Sequence, residues 1–307
     1  MSSNIINFMK ELKDLAKAKK TSSVNTLRVM TYNIRWNNTR EDTLENHWES
    51  RKENVASMIR FHNMDIIGLQ EPLKDQIIDL EKMLPEYRWF GVGLENGKDL
   101  GPYDAVLFKK ERFDLLDKSI FFLSPTPDFP SIGWNAKYIR GVTWIKLKDK
   151  LTGEIFYFFN THFDYHSEMA RNKSAKLLRE KISEIASDYP YIVTGDFNIF
   201  PELGGKKTYE LLTKNDNLID AHFKTIFPHH GPTGSWSGFK EPGQPGVKPD
   251  YIFINNTIKV LCHGILADTF DGKFPSDHLP VIAELQIMKP LFNKRSKIRP
   301  LKVVQKK

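Results

Sequence analysis

The chain has 307 residues, 40% of them apolar and 12% aromatic, which is enough for a sizeable buried core in one large domain or two small ones. It contains no run of about eighteen apolar residues, which argues against a membrane-spanning helix. The net charge of +7 is concentrated at the ends, because residues 289–307 carry eight Lys or Arg without an acid and residues 1–20 carry a net +3, leaving −4 for the rest.

This charge distribution argues against a protein that holds duplex nucleic acid along a broad cationic face. It predicts a globular domain over residues 26–288, flanked by a basic N-terminal helix or tail, 1–25, and a basic C-terminal tail, 289–307. Basic ends suit weak contact with a polyanion or an anionic membrane surface. They are also common as solvated, disordered chain. No obligate protein partner is inferred.

The cysteine count and the N-terminal residues bear on the compartment. Cys262 is the single cysteine, so an intrachain disulfide is excluded and a structural thiol is expected. Residues 1–20 lack the apolar core of a secretory signal and the arginines of a transit peptide. We expect an intracellular protein, with the cytoplasm favoured and the nucleus and mitochondrion left open.

Short apolar stretches alternate with polar connections from Thr26 onward, which predicts nine strands. The strands lie near residues 27–33, 65–70, 87–92, 104–109, 141–148, 154–161, 191–195, 250–254 and 280–286. Helical spacing of apolar residues predicts helices over 49–62, 73–83 and 168–187. Strands that are partly consecutive and partly separated by helices favour an α/β fold with a mixed sheet, or a pair of sheets, covered by helices. Residues 124–135 and 228–249 are rich in Pro and Gly and predict long loops.

Polar side chains recur where six of these strands begin or end. In "YIVTGDFNIF" (191–200), for example, four strand residues are followed by Gly195, Asp196, Phe197 and Asn198. The other polar positions are Asn33, Gln70, Glu71, Asn160, His162, Asp164, Asp250, Asp277 and His278. Because residues i and i+2 of a strand share a face, such pairs can direct two polar groups into one cavity. Asx residues at strand ends also commonly cap turns, so each position alone has a structural alternative.

The chemistry of the whole set is more informative than any one position. Carboxylate and amide oxygens, with no cysteine among them, suit a hard cation such as Mg²⁺, with Mn²⁺ as a substitute. A divalent ion beside carboxylates and two histidines is typical of phosphoester cleavage, in which phosphate charge is neutralised and a water is activated.

The segments "TYNIR", "IIGLQE", "NTHFD", "VTGDFN", "PDYIF" and "SDHLPV" occur in this order between residues 28 and 286. As a set they resemble the endonuclease/exonuclease/phosphatase superfamily, which includes deoxyribonuclease I, abasic-site endonucleases, neutral sphingomyelinases, inositol polyphosphate 5-phosphatases and nocturnin-type deadenylases. The resemblance implies a four-layered α/β sandwich with two central mixed β-sheets flanked by helices. It also implies a site where the two sheets open, which makes residues 26–288 the catalytic domain.

The resemblance also implies roles for the polar residues. Glu71 is the principal metal ligand, assisted by Asn33 and Asp277. Asp196 positions or deprotonates the attacking water, Asn198 holds the scissile phosphate or a second metal, and both count among the metal-binding residues.

The phosphate side of the site is implied in the same way. His278 contacts the phosphate and Asp250 orients its imidazole, while His162 is a second phosphate contact. Many relatives carry a Glu before the strand that here follows "GPYD". We expect Asp104 to take the place of this Glu. The residue that pairs with His162 is left open.

The segments "YIRGVTW" and "NTHFDYHSEMARNKSAKLL" are similar to a branch of the superfamily near the nocturnin-type deadenylases, in which Arg140, Asp164 and Arg171 recur. The two arginines are candidate contacts for substrate phosphates, with a structural ion pair as the alternative. Trp134 and Trp236 lie in the long loops and are candidates for stacking on a substrate, although loop tryptophans also pack loops onto the body. His229 and His230 are expected to face solvent.

The favoured function is a Mg²⁺-dependent phosphodiesterase on single-stranded RNA or DNA, of the 3′–5′ exonuclease or deadenylase type. The alternative is a phosphatase or phosphodiesterase on a small-molecule or lipid phosphoester, such as an inositol phosphate, a sphingolipid or a nucleotide derivative. A non-catalytic binding module is disfavoured, because such derivatives lose metal- or water-handling residues and this chain has them all.

Overall fold

The computed structural model describes residues 25–201, 204–241 and 245–288. Both predicted basic tails lie almost wholly outside these ranges. Within them the chain forms twelve β-strands and four α-helices. The strands are β1 (Leu27–Asn33), β2 (Ile66–Gln70), β3 (Tyr87–Phe90), β4 (Asp104–Lys109), β5 (Phe113–Phe122), β6 (Gly141–Asp149), β7 (Ile155–His162), β8 (Tyr191–Asp196), β9 (Ile219–Asp220), β10 (Asp250–Ile254), β11 (Ile258–Ile265) and β12 (Val281–Ile287). The helices are α1 (Trp48–Phe61), α2 (Lys74–Met83), α3 (Glu168–Ala186) and α4 (Lys206–Thr213).

The strands form two mixed six-stranded sheets. Sheet one has the order β11-β12-β1-β2-β4-β3 and sheet two has the order β5-β6-β7-β8-β10-β9. Each contains one parallel pair, β1 with β2 and β7 with β8, among antiparallel neighbours. Parallel pairs bring their carboxyl ends to the same sheet edge, so the polar residues that follow β1, β2, β7 and β8 lie together at one end of the sandwich.

Three apolar layers hold the sandwich together. One lies between the sheets and includes Val29, Phe158 and Ile252. A second packs α1 and α2 on the outer face of sheet one, with Trp48 fully buried. The third packs α3 and α4 on the outer face of sheet two, with Phe197 fully buried. The predicted four-layered α/β sandwich with two central sheets is confirmed.

The predicted elements recur within one or two residues, but three strands and one helix are additional. The middle of β5 is mostly exposed because β5 is an edge strand, so it shows no clear apolar alternation. Strands β9 and β11 and helix α4 were likewise not predicted. The described parts of 124–135 and 228–249 are irregular, as expected for loops.

The two sheets approach most closely below the polar end. A Cβ on Gly68 of β2 would lie 2.2 Å from Thr194 Oγ1 and 2.3 Å from Asn160 Oδ1, both on sheet two. Gln70 Nε2 donates to Asn160 Oδ1 (2.6 Å), and Asn160 Nδ2 donates to the carbonyls of Leu69 and Ala105. Gln70 and Asn160 therefore join the sheets beneath the polar end, and glycine is the residue that permits this contact.

Gly195 has a related role. A Cβ there would lie 2.3 Å from the carbonyl oxygen of Thr161 on β7. Gly195 thus makes room for the neighbouring strand. No helix in the described part of the chain has both the length and the apolar character needed to cross a bilayer.

Candidate active site

Strand register places three of the predicted catalytic residues in one row. His162 ends β7, Asp196 ends β8 and Asp250 begins β10, and the pairing aligns His162 with Asp196 and Asp196 with Asp250. Aligned residues on neighbouring strands point to the same face of a sheet. All three side chains are buried.

The carboxylate of Asp196 is the centre of this row. Its Oδ2 accepts a hydrogen bond from Asn33 Nδ2 (3.0 Å) and lies 3.3 Å from His162 Nε2 and 3.8 Å from His278 Nε2. Its Oδ1 accepts from the backbone N–H of Asn198 (3.0 Å). The 3.8 Å separation from His278 is too long for a hydrogen bond, so the two side chains face each other without a direct bond.

His278 is held by a buried acid. Its Nδ1 lies 2.9 Å from Asp250 Oδ2, which also accepts from Ser235 Oγ (2.6 Å). This pairing fixes the imidazole with Nε2 directed toward Asp196. The predicted orienting role of Asp250 matches this geometry, and Ser235 is an additional support that sequence patterns did not indicate.

Glu71, Asn33 and Asp277 lie on the other side of Asp196. Asn33 Nδ2 donates to Glu71 Oε1 (3.1 Å) as well as to Asp196, so it joins the two carboxylates. Glu71 Oε2 accepts from the backbone N–H of Trp36. Arg35, which was not predicted as a site residue, has its guanidinium 3.9 Å from Asp277 Oδ2. Arg35 is the last residue of the segment "TYNIR", but nothing in that segment indicated its role.

Burial and the charges of neighbouring acids raise the pKa values of Asp196 and Asp277. Burial, with the nearby charge of Asp250, raises the pKa of Asp196 to about 7. Burial also raises the pKa of Asp277, and Glu71 adds to the effect while His278 and Arg35 oppose it. Closely placed acids of this kind are stabilised by a cation, and one ligand atom each from Asp196, Asp250 and His278 lies within 4.8 Å of the others. The carboxylate and amide oxygens of the site suit a hard divalent ion, and Glu71, Asp277 and Asn33 stay its predicted ligands.

The two histidines are shifted in opposite directions. Burial lowers the pKa of His278, but the charges of Asp250, Asp196 and Asp277 outweigh burial and hold it well above the usual value. Burial, followed by the charges of Arg140 and His278, holds the pKa of His162 well below the usual value. The site therefore contains one cationic and one neutral imidazole near neutral pH.

Asn198 and Asp104 complete the surroundings of His162. Asn198 has a positive φ of 50° and donates from Nδ2 to His162 Nε2 (3.0 Å) and to the carbonyl of Phe163 (3.0 Å). Asp104 accepts a hydrogen bond from the backbone N–H of His162. Nε2 of His162 is thus paired with Asn198, while Asp104 contacts only the backbone of His162, which answers the question that the "GPYD" departure raised.

Of the predicted substrate-binding residues, Arg140 lies beside the active-site residues, whereas Asp164 and Arg171 bond to backbone groups of nearby loops. Arg140 is buried beside His162 and Asp104, with its guanidinium 5.7 Å from the Tyr138 ring. Arg171 Nη1 donates to the carbonyls of Asp164 and Tyr165. The carboxylate of Asp164 accepts from three backbone N–H groups, those of Lys137, His166 and Ser167. Asp164 and Arg171 therefore brace loops, and their direct contact with substrate stays a prediction.

The two loop tryptophans are also distinct. Trp236 is 38% exposed, pairs through its backbone with His278 and lies over Gly238. Trp134 is half-buried, and its carbonyl accepts from Ser167 Oγ. Trp236 is thus next to a site residue, whereas Trp134 belongs to the loop that Asp164 braces. Their stacking roles stay predictions.

The prediction that His229 and His230 both face solvent was half wrong. His230 is exposed, but His229 is half-buried, donates from Nε2 to the Pro232 carbonyl (2.8 Å) and places Nδ1 2.9 Å from His263 Nδ1. Neither residue belongs to the row around Asp196.

Arg51 on α1 was another residue that sequence patterns did not indicate. Its guanidinium donates to the carbonyls of Ile34, Arg35 and Pro275, which links the segment after β1 to the segment before Asp277. A buried arginine in an amphipathic helix has no local sequence signal, because its partners are distant backbone atoms.

Comparison with known proteins identifies the fold family. The sequence profile of the endonuclease/exonuclease/phosphatase family matches residues 30–278. The chain belongs to this family. Phosphoester hydrolysis is the reaction class of the endonuclease/exonuclease/phosphatase family, and the superfamily resemblance that the motifs indicated is confirmed.

Solved structures of the endonuclease/exonuclease/phosphatase family match this chain over nearly their whole length. A family protein from Bacteroides vulgatus is 36% identical, with a TM-score of 0.79 over 85% of this chain and 99% of that one. A mannosyl-6-phosphatase from Bacteroides thetaiotaomicron is 34% identical, with a TM-score of 0.79 over 84% and 99%. The human nocturnin catalytic domain, 21% identical with a TM-score of 0.66 over 86% and 94%, shares the fold.

Curated relatives match less completely. A mimivirus protein of uncharacterised function is 32% identical over 163 residues, which are 49% of this chain and 59% of that protein. The Ccr4 subunit of the CCR4-Not 3′–5′ exoribonuclease complex from Emericella nidulans is 23% identical over 78% of this chain and 48% of its own length. The chain spans about half the length of the curated relatives it matches.

Proposed function

We propose that the chain is a divalent-metal-dependent phosphoester hydrolase. The observation that supports this most directly is the position of Asp196, a buried carboxylate between Asn33, His162 and His278 with a pKa raised to about 7. A general base is most effective when its pKa lies near the working pH. Asp196 therefore suits the task of accepting a proton from the attacking water.

The remaining residues divide between the phosphate and the metal. His278, cationic and fixed by Asp250, donates from Nε2 to a phosphate oxygen and stabilises the charge that develops there. Asn198 and the neutral His162 orient the water and the phosphate. Glu71, Asp277 and Asn33 would hold Mg²⁺ or Mn²⁺, which supplies charge neutralisation at the phosphate.

For the substrate we propose a phosphate monoester of a small, sugar-like alcohol. The mannosyl-6-phosphatase is 34% identical over 99% of its length, whereas the exoribonuclease subunit is 23% identical over 48% of its length. The net charge of −4 over residues 21–288 also favours a small anion over a polyanion. This order reverses the preference that the sequence alone favoured.

Hydrolysis of single-stranded RNA or DNA remains the second candidate. The exposed rings of Tyr138 and Tyr165 lie 6.1 Å apart, and Tyr138 is next to Arg140. Exposed aromatic side chains near a cation suit the stacking of nucleobases. Contact of the basic tails with anionic membranes is a separate proposal, tested by co-sedimentation of vesicles with the full chain and with a chain truncated after Met288.

A substrate panel tests the proposal. The full chain is incubated with Mg²⁺ or Mn²⁺ and with hexose 6-phosphates, nucleotides, inositol phosphates, a sphingolipid phosphodiester, labelled oligoadenylate, single-stranded DNA and duplex DNA. We expect release of inorganic phosphate from hexose phosphates, at a rate at least about 1,000-fold lower in Asp196→Asn. Shortening of oligoadenylate without hexose phosphate hydrolysis would support the second candidate, and no turnover of any substrate would contradict both.

A further inference from the structure

Three histidines outside the active site form a compact cluster. His222 follows β9, His229 lies in the loop 228–249 and His263 lies on β11. Their ring centroids are 4.8 Å (His222 to His229), 5.1 Å (His222 to His263) and 5.1 Å (His229 to His263) apart. One nitrogen from each ring lies within 4.8 Å of the others.

These distances match those of imidazoles around one metal ion. With Zn–N bonds of about 2.0–2.1 Å and tetrahedral angles, three bound imidazoles have ring centroids about 5 Å apart. A hydrogen bond accounts for the approach of His229 and His263, but it does not account for the convergence of the third ring, His222. We propose that His222, His229 and His263 form a binding site for a divalent first-row transition metal ion, for which Zn²⁺ has the best-matching geometry.

The hydrogen bonds of His229 support this assignment. Its Nε2 lies 2.8 Å from the Pro232 carbonyl, which only accepts, so Nε2 carries the proton and Nδ1 carries the lone pair. That Nδ1 lies 2.9 Å from His263 Nδ1. In the metal-free protein this lone pair accepts the Nδ1–H of His263, and a metal ion would replace that proton. Histidine ligands of metals usually donate their second N–H to a carbonyl or carboxylate in this way, which fixes the tautomer.

Each of the other two histidines has one ring nitrogen that forms no hydrogen bond within the described residues. His222 Nδ1 and His263 Nε2 are buried and have no hydrogen-bond partner among the described residues. The His263 side chain is almost fully buried, with 2% of its surface exposed. Unpaired buried nitrogens are unfavourable, and a metal ion bound through His222 Nδ1 would relieve this cost for His222. His222 and His229 are half-buried, so a solvent water supplies the fourth ligand.

The charges around the cluster are compatible with a bound cation. Lys248 is the cation that faces His222 and His263, and its ammonium lies 3.3 Å from Asp220 Oδ2. This pairing offsets its charge. A bound ion would join β9, the loop 228–249 and β11, and the loop continues to Ser235, which supports Asp250. The metal would therefore fix the loop on which the orientation of His278 depends.

Metal binding by variants of the full chain tests the proposal. Co²⁺ in a tetrahedral nitrogen-rich site absorbs visible light much more strongly than Co²⁺ among oxygen ligands. We expect this absorption, and one tightly bound Zn²⁺ by equilibrium dialysis, in the wild type and in Glu71→Gln. His222→Ala and His229→Ala should each weaken Zn²⁺ binding about 100-fold or more and abolish the Co²⁺ band.

His230→Ala is the matched control, because His230 is the exposed neighbour of His229. It should bind Zn²⁺ as the wild type does. Circular dichroism of His222→Ala and His229→Ala verifies that both are folded. Unchanged Zn²⁺ affinity in both variants, or binding that is lost in Glu71→Gln but kept in His222→Ala, would assign the ion to the active site and overturn the proposal.

Discussion

Replacement of Asp196 by Asn separates a catalytic role from a structural one. Asn keeps the shape and the Oδ1 that accepts from the backbone N–H of Asn198, but it cannot accept a proton from water. Loss of a general base typically costs 10²–10⁴ in rate. We expect turnover to fall at least about 1,000-fold, which corresponds to about 4 kcal/mol of transition-state stabilisation.

The same change should not reduce stability at alkaline pH. The pKa of Asp196 rises from 3.8 in the unfolded chain to about 7 in the folded one, so its ionisation costs stability as the pH rises from 3.8 to about 7. The difference corresponds to on the order of 4 kcal/mol above pH 7. Asp196→Asn should avoid this cost. Part of the resulting gain in stability is lost, because the amide nitrogen that replaces Oδ2 cannot accept the hydrogen bond from Asn33 Nδ2.

Urea unfolding in EDTA at pH 4 and pH 8, together with phosphate release in Mg²⁺, provides the assay. The unfolding free energy of Asp196→Asn minus that of the wild type should be larger at pH 8 than at pH 4. Asp188→Asn, at an exposed position, serves as the control and should change neither property. Residual activity above a tenth of wild type would refute the role of base, and a large loss of stability at pH 8 would refute the assignment of Asp196 as a strained, functional acid.

Three further predictions follow from buried contacts. Arg51→Met removes hydrogen bonds to three carbonyls, so unfolding free energy should fall by about 2–4 kcal/mol and turnover by more than about 10-fold, measured by urea unfolding and phosphate release. Gly68→Ala places a Cβ 2.2 Å from Thr194 Oγ1 and should cost about 1–3 kcal/mol or more in the same unfolding assay. Burial lowers the pKa of His263 to about 2, so its contribution to stability is lost as the pH falls below 6.5, by up to about 1.4 kcal/mol per pH unit in EDTA. His263→Leu should remove this slope.

Each of these predictions has a contrary outcome. An Arg51→Met variant with wild-type activity would show that the segments carrying Asn33 and Asp277 hold their positions without the arginine. Wild-type stability in Gly68→Ala would show that the sheets can separate at no cost. Equal pH slopes for the wild type and His263→Leu would show that His263 takes up a proton in the folded state.

The fold and the gathering of polar strand ends at one place were largely predictable, because both depend on repeated local patterns. Apolar runs marked the central strands, and polar residues at their ends marked the site. Edge strand β5 lacked the pattern because most of its residues face solvent. The register that aligns His162, Asp196 and Asp250 depends on strand pairing, which the sequence does not state.

Residues whose roles depend on distant partners were not predictable in the same way. Ser235, in a Pro- and Gly-rich loop, has no local signal that links it to Asp250. Arg51 acts on backbone carbonyls, which no side-chain motif reports. Asp164 and Arg171 carried a strong motif, but their polar atoms are used by neighbouring backbone groups. In the histidine cluster, His229 is 34 positions and His222 is 41 positions before His263 in the sequence, so only folding brings the three residues together.

Metal-dependent turnover tests the central claim most directly. The full chain is freed of metal with EDTA, and Mg²⁺ is added back while phosphate release from hexose 6-phosphates and shortening of oligoadenylate are followed in the wild type and in Glu71→Gln. We expect no turnover without metal, recovery with Mg²⁺ or Mn²⁺, and a requirement for at least about 10-fold more Mg²⁺ in Glu71→Gln. Full activity of the metal-free wild type, or an unchanged Mg²⁺ requirement in Glu71→Gln, would contradict the account.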